Sequence, residues 1–244
     1  MPKITQLLFD CDNTLVLSEE LAFEACAELS NEMLEKHNVA DRYTGPDLMT
    51  TFVGQNFRGV VTGLQQRHGF KLSDSEVDEY VSRELGKVIE TLEAKAEPCV
   101  GVMPVLEELD KSKKYGMAVV SSSALSRVQA SVKKVGQEKF FPKDHIFSAA
   151  TSLPVPTTKP DPAIYLHACK VIGKSPGECV AVEDSRSGTL SAVRAGIPTV
   201  GYVGSYGGVI KQKEMAEVLK EAGAKVMMDD WSQFMDCMAQ IEAA

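Results

Sequence analysis

The stretch that decides the fold is Leu7-Leu8-Phe9-Asp10-Cys11-Asp12-Asn13-Thr14. Three apolar residues run without a break into two carboxylates spaced two apart. An unbroken apolar run this short fits a strand buried on both faces, the kind found in parallel sheets. In the turn that follows such a strand, residues two apart can reach one pocket, so one carboxylate can attack while the other handles a proton. Taken alone, the same letters also describe a solvated acidic turn, or an Asx-turn at Asn13.

Four more runs have the same form. Met117-Ala118-Val119-Val120 enters Ser121, Ser122 and Ser123, and Cys179-Val180-Ala181-Val182 ends at Glu183 and Asp184. Thr199 to Val203 ends in glycines, and Lys225-Val226-Met227-Met228 ends at Asp229. Helical patterns lie between them. Val105, Leu106 and Leu109 form a stripe, Asp161-Pro162 reads as an N-cap with proline at the first helical position, and residues 187 to 195 end at Gly196. Alternating strand and helix predicts an α/β fold with a doubly wound parallel sheet, whose ligands sit beyond the carboxyl ends of the strands. The polar residues collect at those ends.

From Ser18 to about Glu97 the alternation stops and only helical patterns occur. The first carries Glu19 and Glu20 in its opening turn, with Leu21, Ala25, Leu29 and Met33 spaced by four; later ones cover 57–68 and 73–94. The expected organisation is a core of residues 1–16 and 98–244 with an inserted all-helical cap of residues 17–97.

Composition bounds the function. The chain has 244 residues, 44% hydrophobic and 25% charged, which is ordinary for a folded protein with a sizeable core. A formal net charge of -8 makes nucleic acid and anionic membrane poor partners. It also means that a phosphate site has to be made attractive locally. The six cysteines have no CxxC pair and no zinc-like spacing, so they read as reduced buried thiols. No run is long enough for a signal peptide or a membrane span, and the expected setting is cytoplasmic, as a monomer or weak dimer.

Two more segments carry chemistry. In Pro154-Val155-Pro156-Thr157-Thr158-Lys159-Pro160-Asp161-Pro162 the prolines restrict the backbone around a single lysine. Glu183-Asp184 places adjacent acids at a strand end, which suits a hard, oxygen-ligated cation such as Mg²⁺. A Pro-rich surface loop and a pair of solvated acids are the plainer readings of each.

In this order, Asp10/Asp12/Thr14, Ser121, Lys159 and Glu183/Asp184 resemble motifs I to IV of the haloacid dehalogenase superfamily of aspartyl-nucleophile phosphotransferases. Pro98-Cys99-Val100-Gly101-Val102 and Val182-Glu183-Asp184-Ser185-Arg186-Ser187-Gly188 are similar to the subgroup with a helical cap after motif I, the β-phosphoglucomutase- and phosphoglycolate phosphatase-like members. Asn13 stands where that motif usually has glycine, and asparagine tolerates left-handed backbone.

The resemblance implies that Asp10 attacks phosphorus, that Asp12 protonates the leaving oxygen and then activates water, and that Lys159 and Ser121 neutralise the phosphoryl oxygens, with Asn13 and Ser122 also near the phosphate. It implies Mg²⁺ held by Asp10, the Asp12 carbonyl and Asp184, with Glu183 direct or through water. Substrate choice is expected in the cap, at Glu19 and in Gly54-Gln55-Asn56-Phe57-Arg58. The implied activity is Mg²⁺-dependent hydrolysis of a small sugar, polyol or carboxylate phosphate. A sugar phosphomutase is the alternative, but its family carries a histidine on the first cap helix and Glu19-Glu20-Leu21-Ala22-Phe23 has none. A non-catalytic relative normally loses a motif acid, and here every position is filled. Asp12 argues against a dehalogenase, since halide leaves without a proton.

Overall fold

Leu8 and Phe9 face opposite sides of the same strand, and both sides are apolar, so the strand needs cover above and below. The computed structural model describes residues 3–53 and 55–244 and divides the chain into two compact units. One comprises residues 1–17 and 97–244, the other residues 18–96.

The larger unit is built on strands β1 (Gln6–Phe9), β4 (Gly116–Ser121), β5 (Ile146–Ser148), β6 (Cys179–Glu183), β7 (Thr199–Tyr202) and β8 (Val226–Met228). They form one sheet in the order β5-β4-β1-β6-β7-β8, with every neighbouring pair parallel. Two-residue strands β2 (Val16–Leu17) and β3 (Glu97–Pro98) pair antiparallel beside it. The helices of this unit are α5 (Val102–Ser112), α6 (Leu125–Lys134), α7 (Ala163–Ile172), α8 (Arg186–Arg194), α9 (Val209–Glu221) and α10 (Phe234–Ala243).

Register decides what gathers at the strand ends. Phe9 of β1 lies opposite Val119 of β4 and Val182 of β6. The next residue along each strand is therefore Asp10, Val120 and Glu183, side by side. On one face of the sheet Leu8, Val120 and Ala181 pack with Ile164, Tyr165 and Ala168 of α7 and Ala192 of α8. On the other, the Phe9 ring sits 6.1 Å from each of Phe141, Trp231 and Phe234.

The smaller unit is helical throughout: α1 (Glu19–Lys36), α2 (Gly45–Thr51), α3 (Phe57–His68) and α4 (Asp74–Lys95). Its core joins Leu29 and Met33 of α1 to Leu48, Val61, Leu64 and Val77. Capping boxes at Thr44/Asp47 and Ser73/Glu76 open α2 and α4, and α3 closes on Gly69 in the left-handed region.

Several details differ from the sequence expectations. Helix α7 begins at Ala163, with Pro162 at the N-cap position rather than the first helical one; the Ala163 N–H donates to Asp161 Oδ1 at 2.8 Å. Strand β5 and helices α2, α6, α9 and α10 have no counterpart among the sequence expectations. All six cysteines are buried and unpaired by disulfides, as the composition predicts.

The Phe9 packing gives a stability test. Phe9→Ala removes a ring that touches three others and is expected to cost about 3–5 kcal/mol. A urea midpoint equal to that of the wild type would contradict the packing described.

Candidate active site

Asp10, Ser121 and Glu183 are placed by the ends of buried strands. The Asp10 N–H donates to Val182 O at 3.0 Å, tying the residue after β1 to the end of β6. The chain then turns tightly. Leu15 and Val16 both donate to Cys11 O, and Asn13 donates to Val16 O at 2.7 Å. Asn13 holds φ at +56°, the left-handed conformation that its side chain tolerates.

Lys159 lies at the centre. Its Nζ donates to Asp10 Oδ1 at 2.6 Å, Glu183 Oε1 at 2.6 Å and the Val120 carbonyl at 2.7 Å. Three acceptors from three adjacent strand ends use all three ammonium protons. The side chains of Lys159, Asp10 and Glu183 are 3%, 10% and 0% exposed. The Lys159 backbone N–H donates to Ser122 Oγ at 3.1 Å, which anchors the proline-bounded loop to the end of β4.

Glu183 is gripped from several sides. Its Oε1 also accepts from the Tyr165 hydroxyl of α7. Its Oε2 is buried with no hydrogen-bond partner among the described residues. That oxygen lies against Gly188 of α8, where an added Cβ would fall 1.8 Å away. Only glycine fits there. Asp184 is buried beside it, and its carbonyl accepts from the Tyr206 hydroxyl at 3.2 Å.

Carboxylate oxygens of Asp10, Glu183 and Asp184 lie within 4.8 Å of one another. Three carboxylates against one ammonium leave two negative charges in a nearly dry place. Burial pushes the Asp10 carboxyl up, with the Lys159 charge pulling it partly back. Burial likewise pushes Glu183 up to about 7, against the same lysine. For Lys159 burial acts downward, but the charges of Asp10 and Glu183 outweigh it and raise its pKa, so it stays protonated. A divalent, oxygen-loving cation fits this group on two counts: it neutralises the excess charge, and it satisfies the orphaned Glu183 oxygen.

Asp12 stands apart from that group. Its Oδ2 accepts from Ser123 Oγ at 2.7 Å and its Oδ1 from Arg127 at 2.9 Å. Ser121 is fully buried at the end of β4, and its Oγ accepts from the Ser123 N–H at 3.0 Å. Asp10, Ser121, Ser122, Lys159, Glu183 and Asp184 thus gather at the ends of β1, β4 and β6, with Asp12 and Asn13 on the adjoining turn. Glu19, Gln55, Asn56 and Arg58 belong to the helical unit. Glu19 opens α1 and Gln55 is exposed; Asn56 caps α3 by accepting from the Gly59 N–H, and Arg58 pairs with Asp78. Gly54 lies outside the described residues. Tyr165, Gly188, Ser123 and Arg127 were not singled out for any role in the sequence reading. Ser123 sits in the Ser-rich run after β4, and that run is the one signal that pointed toward it.

The chain matches the haloacid dehalogenase-like hydrolase family over residues 4–196. It is 27% identical over 200 residues to the 6-phosphogluconate phosphatase of Escherichia coli K12, covering 81% of each chain. To hexitol phosphatase A of the same organism it is 31% identical over 192 residues, covering 78% of each. The fold is similar to that of a solved HAD hydrolase, family IA, variant 3, from Entamoeba histolytica, with a TM-score of 0.76 at 21% identity over 99% of this chain and 100% of that one. With a match that spans its strands β1 to β6 and the whole acidic cluster, the chain belongs to the haloacid dehalogenase-like hydrolase family.

Proposed function

We propose that this chain is a Mg²⁺-dependent phosphatase that hydrolyses a small phosphorylated metabolite through phosphoryl transfer to Asp10. The observation that carries the reading is the Lys159 ammonium held between Asp10 and Glu183 at 2.6 Å from each. A lysine in that position fixes the direction of one Asp10 oxygen and leaves the other for attack.

In the first half-reaction an Asp10 oxygen forms a bond to phosphorus, and the bond to the leaving oxygen breaks. Asp12 gives that oxygen its proton. In the second half a water oxygen bonds to phosphorus, the Asp10–phosphorus bond breaks, and Asp12 takes the water's proton. Lys159 and Ser121 offset charge on the phosphoryl oxygens, and Ser122 and Asn13 shape the backbone beside them. Asp10, Asp184 and the Asp12 carbonyl are the residues that would hold Mg²⁺, with Glu183 direct or through water. When bound, the cation supplies Lewis-acid neutralisation of the transferring phosphoryl group. Proton transfer by one residue contributes about 10²–10⁴-fold, so Asp12 alone does not account for the rate.

The named relatives act on 6-phosphogluconate and hexitol phosphates. That supports a sugar, polyol or carboxylate phosphate as substrate. Glu19, Gln55, Asn56 and Arg58 of the helical unit are the proposed selecting residues. Helix α1, Glu19–Lys36, contains no histidine, which favours hydrolysis over the mutase alternative. Six buried thiols suit a reducing cytoplasm, and no described helix is long and apolar enough to cross a membrane.

Asp10→Asn keeps the shape but replaces the attacking carboxylate by an amide. Phosphate release from a panel of phosphorylated sugars and polyols is expected to fall at least about 10³-fold while the protein stays folded. Turnover at the wild-type rate in purified Asp10→Asn protein removes the nucleophile assignment. Treatment with EDTA is expected to abolish activity and added Mg²⁺ to restore it; a rate indifferent to both contradicts the role given to the acidic cluster.

A further inference from the structure

Both oxygens of the Asp12 carboxylate are already engaged, and by one short segment. Ser123, in the turn after β4, donates to Oδ2 at 2.7 Å, and Arg127, in the first turn of α6, donates to Oδ1 at 2.9 Å. That segment is itself pinned. The Ser123 N–H donates to Ser121 Oγ at 3.0 Å, and its carbonyl accepts from Ser148 Oγ at 2.7 Å on β5. Helix α6 is anchored by buried Val128, Ala130 and Val132. The Arg127 and Asp12 side chains are only 20% and 25% exposed, so water competes weakly for the contact.

We propose that Arg127 and Ser123 are positioning residues that hold Asp12 in place to accept the proton of the water attacking phosphorylated Asp10. The proposal rests on the reading of Asp10 as nucleophile and adds the device that aims its partner. Each carboxylate oxygen has two lone pairs, so the contact from Ser123 or Arg127 does not by itself exhaust either oxygen. A guanidinium does not give up its protons, so a proton taken from water stays on Asp12 and is not passed into the protein. Fixing the carboxylate from both sides also removes the rotation that would carry its oxygens away from the water's path. A misplacement of about 1 Å can cost about 10²-fold in rate.

The test separates the two half-reactions with p-nitrophenyl phosphate, whose leaving group departs without a proton. Rapid mixing reads transfer to Asp10 as a burst of nitrophenolate, and steady turnover reads water attack. In Arg127→Met, turnover is expected to fall about tenfold or more while the burst rate constant stays within about threefold of wild type. Arg127→Lys should recover part of the turnover, because it restores a cationic donor without the planar fork. Arg127→Met combined with Asp12→Asn should be no slower than Asp12→Asn alone, the signature of two residues acting through one group. Ser123→Ala provides the same comparison should Arg127→Met fail to fold, as judged by circular dichroism. Unchanged or faster turnover, equal losses in burst and turnover, or a raised KM with unchanged kcat would overturn the positioning role. Asp10→Asn serves as the control. A burst that survives in it removes the nucleophile reading and this role together; a burst lost in it beside an unaffected Arg127→Met removes this role alone.

Discussion

A lysine ammonium with 3% exposure is tolerable only when its protons and its charge are both matched, and the organisation of the larger unit follows from how Lys159 meets that demand. Its three acceptors come from the ends of β1, β4 and β6. They converge because those strands are neighbours and in register, Phe9 lying opposite Val119 and Val182. A slip of one residue in either pairing would turn the acids to the wrong face. The apolar strands therefore do more than make a core. Taking one partner from such a buried pair typically costs about 3–5 kcal/mol, so the lysine also ties the proline-bounded loop to the sheet.

The same lysine leaves the site short of positive charge. Asp10, Glu183 and Asp184 outnumber it, and burial raises both Asp10 and Glu183. Glu183 is held by Lys159 and Tyr165 through one oxygen while the other lies against Gly188. The Asp12 carboxylate accepts instead from Ser123 and Arg127. Two carboxylates two residues apart thus sit in different surroundings, one beside a buried ammonium and one beside a guanidinium. A division of labour between nucleophile and proton carrier requires that difference.

Much of this was legible in the letters, and for physical reasons. Leu7-Leu8-Phe9 and Cys179 to Val182 are apolar on both faces, so only a buried parallel strand suits them. Polar residues at their carboxyl ends then had one place to go. Strand β5 was missed because Ile146–Ser148 is three residues long and shows no period. Helix α2 was missed although its Thr44/Asp47 box and Pro46 are a readable start. Tyr165 looks in sequence like any core residue of a helix, and Arg127 like any surface cation. Their partners lie 18 and 115 residues away in the chain, a separation that no local pattern reports. Gly188 is similar: its need for a missing Cβ is visible only once Glu183 is beside it.

Passage of the phosphoryl group through Asp10 is read out by trapping the aspartyl phosphate itself. Enzyme quenched in acid during turnover of a phosphorylated sugar, then reduced with borohydride, should yield homoserine at position 10 when the digested peptide is read by mass spectrometry. An acyl phosphate is the only form of that carboxyl that borohydride reduces under these conditions. Homoserine at Asp10 and at no other carboxylate is the predicted result. An unmodified Asp10 in enzyme that was turning over at the moment of quenching, or homoserine at Asp12 or Asp184 instead, would contradict the account.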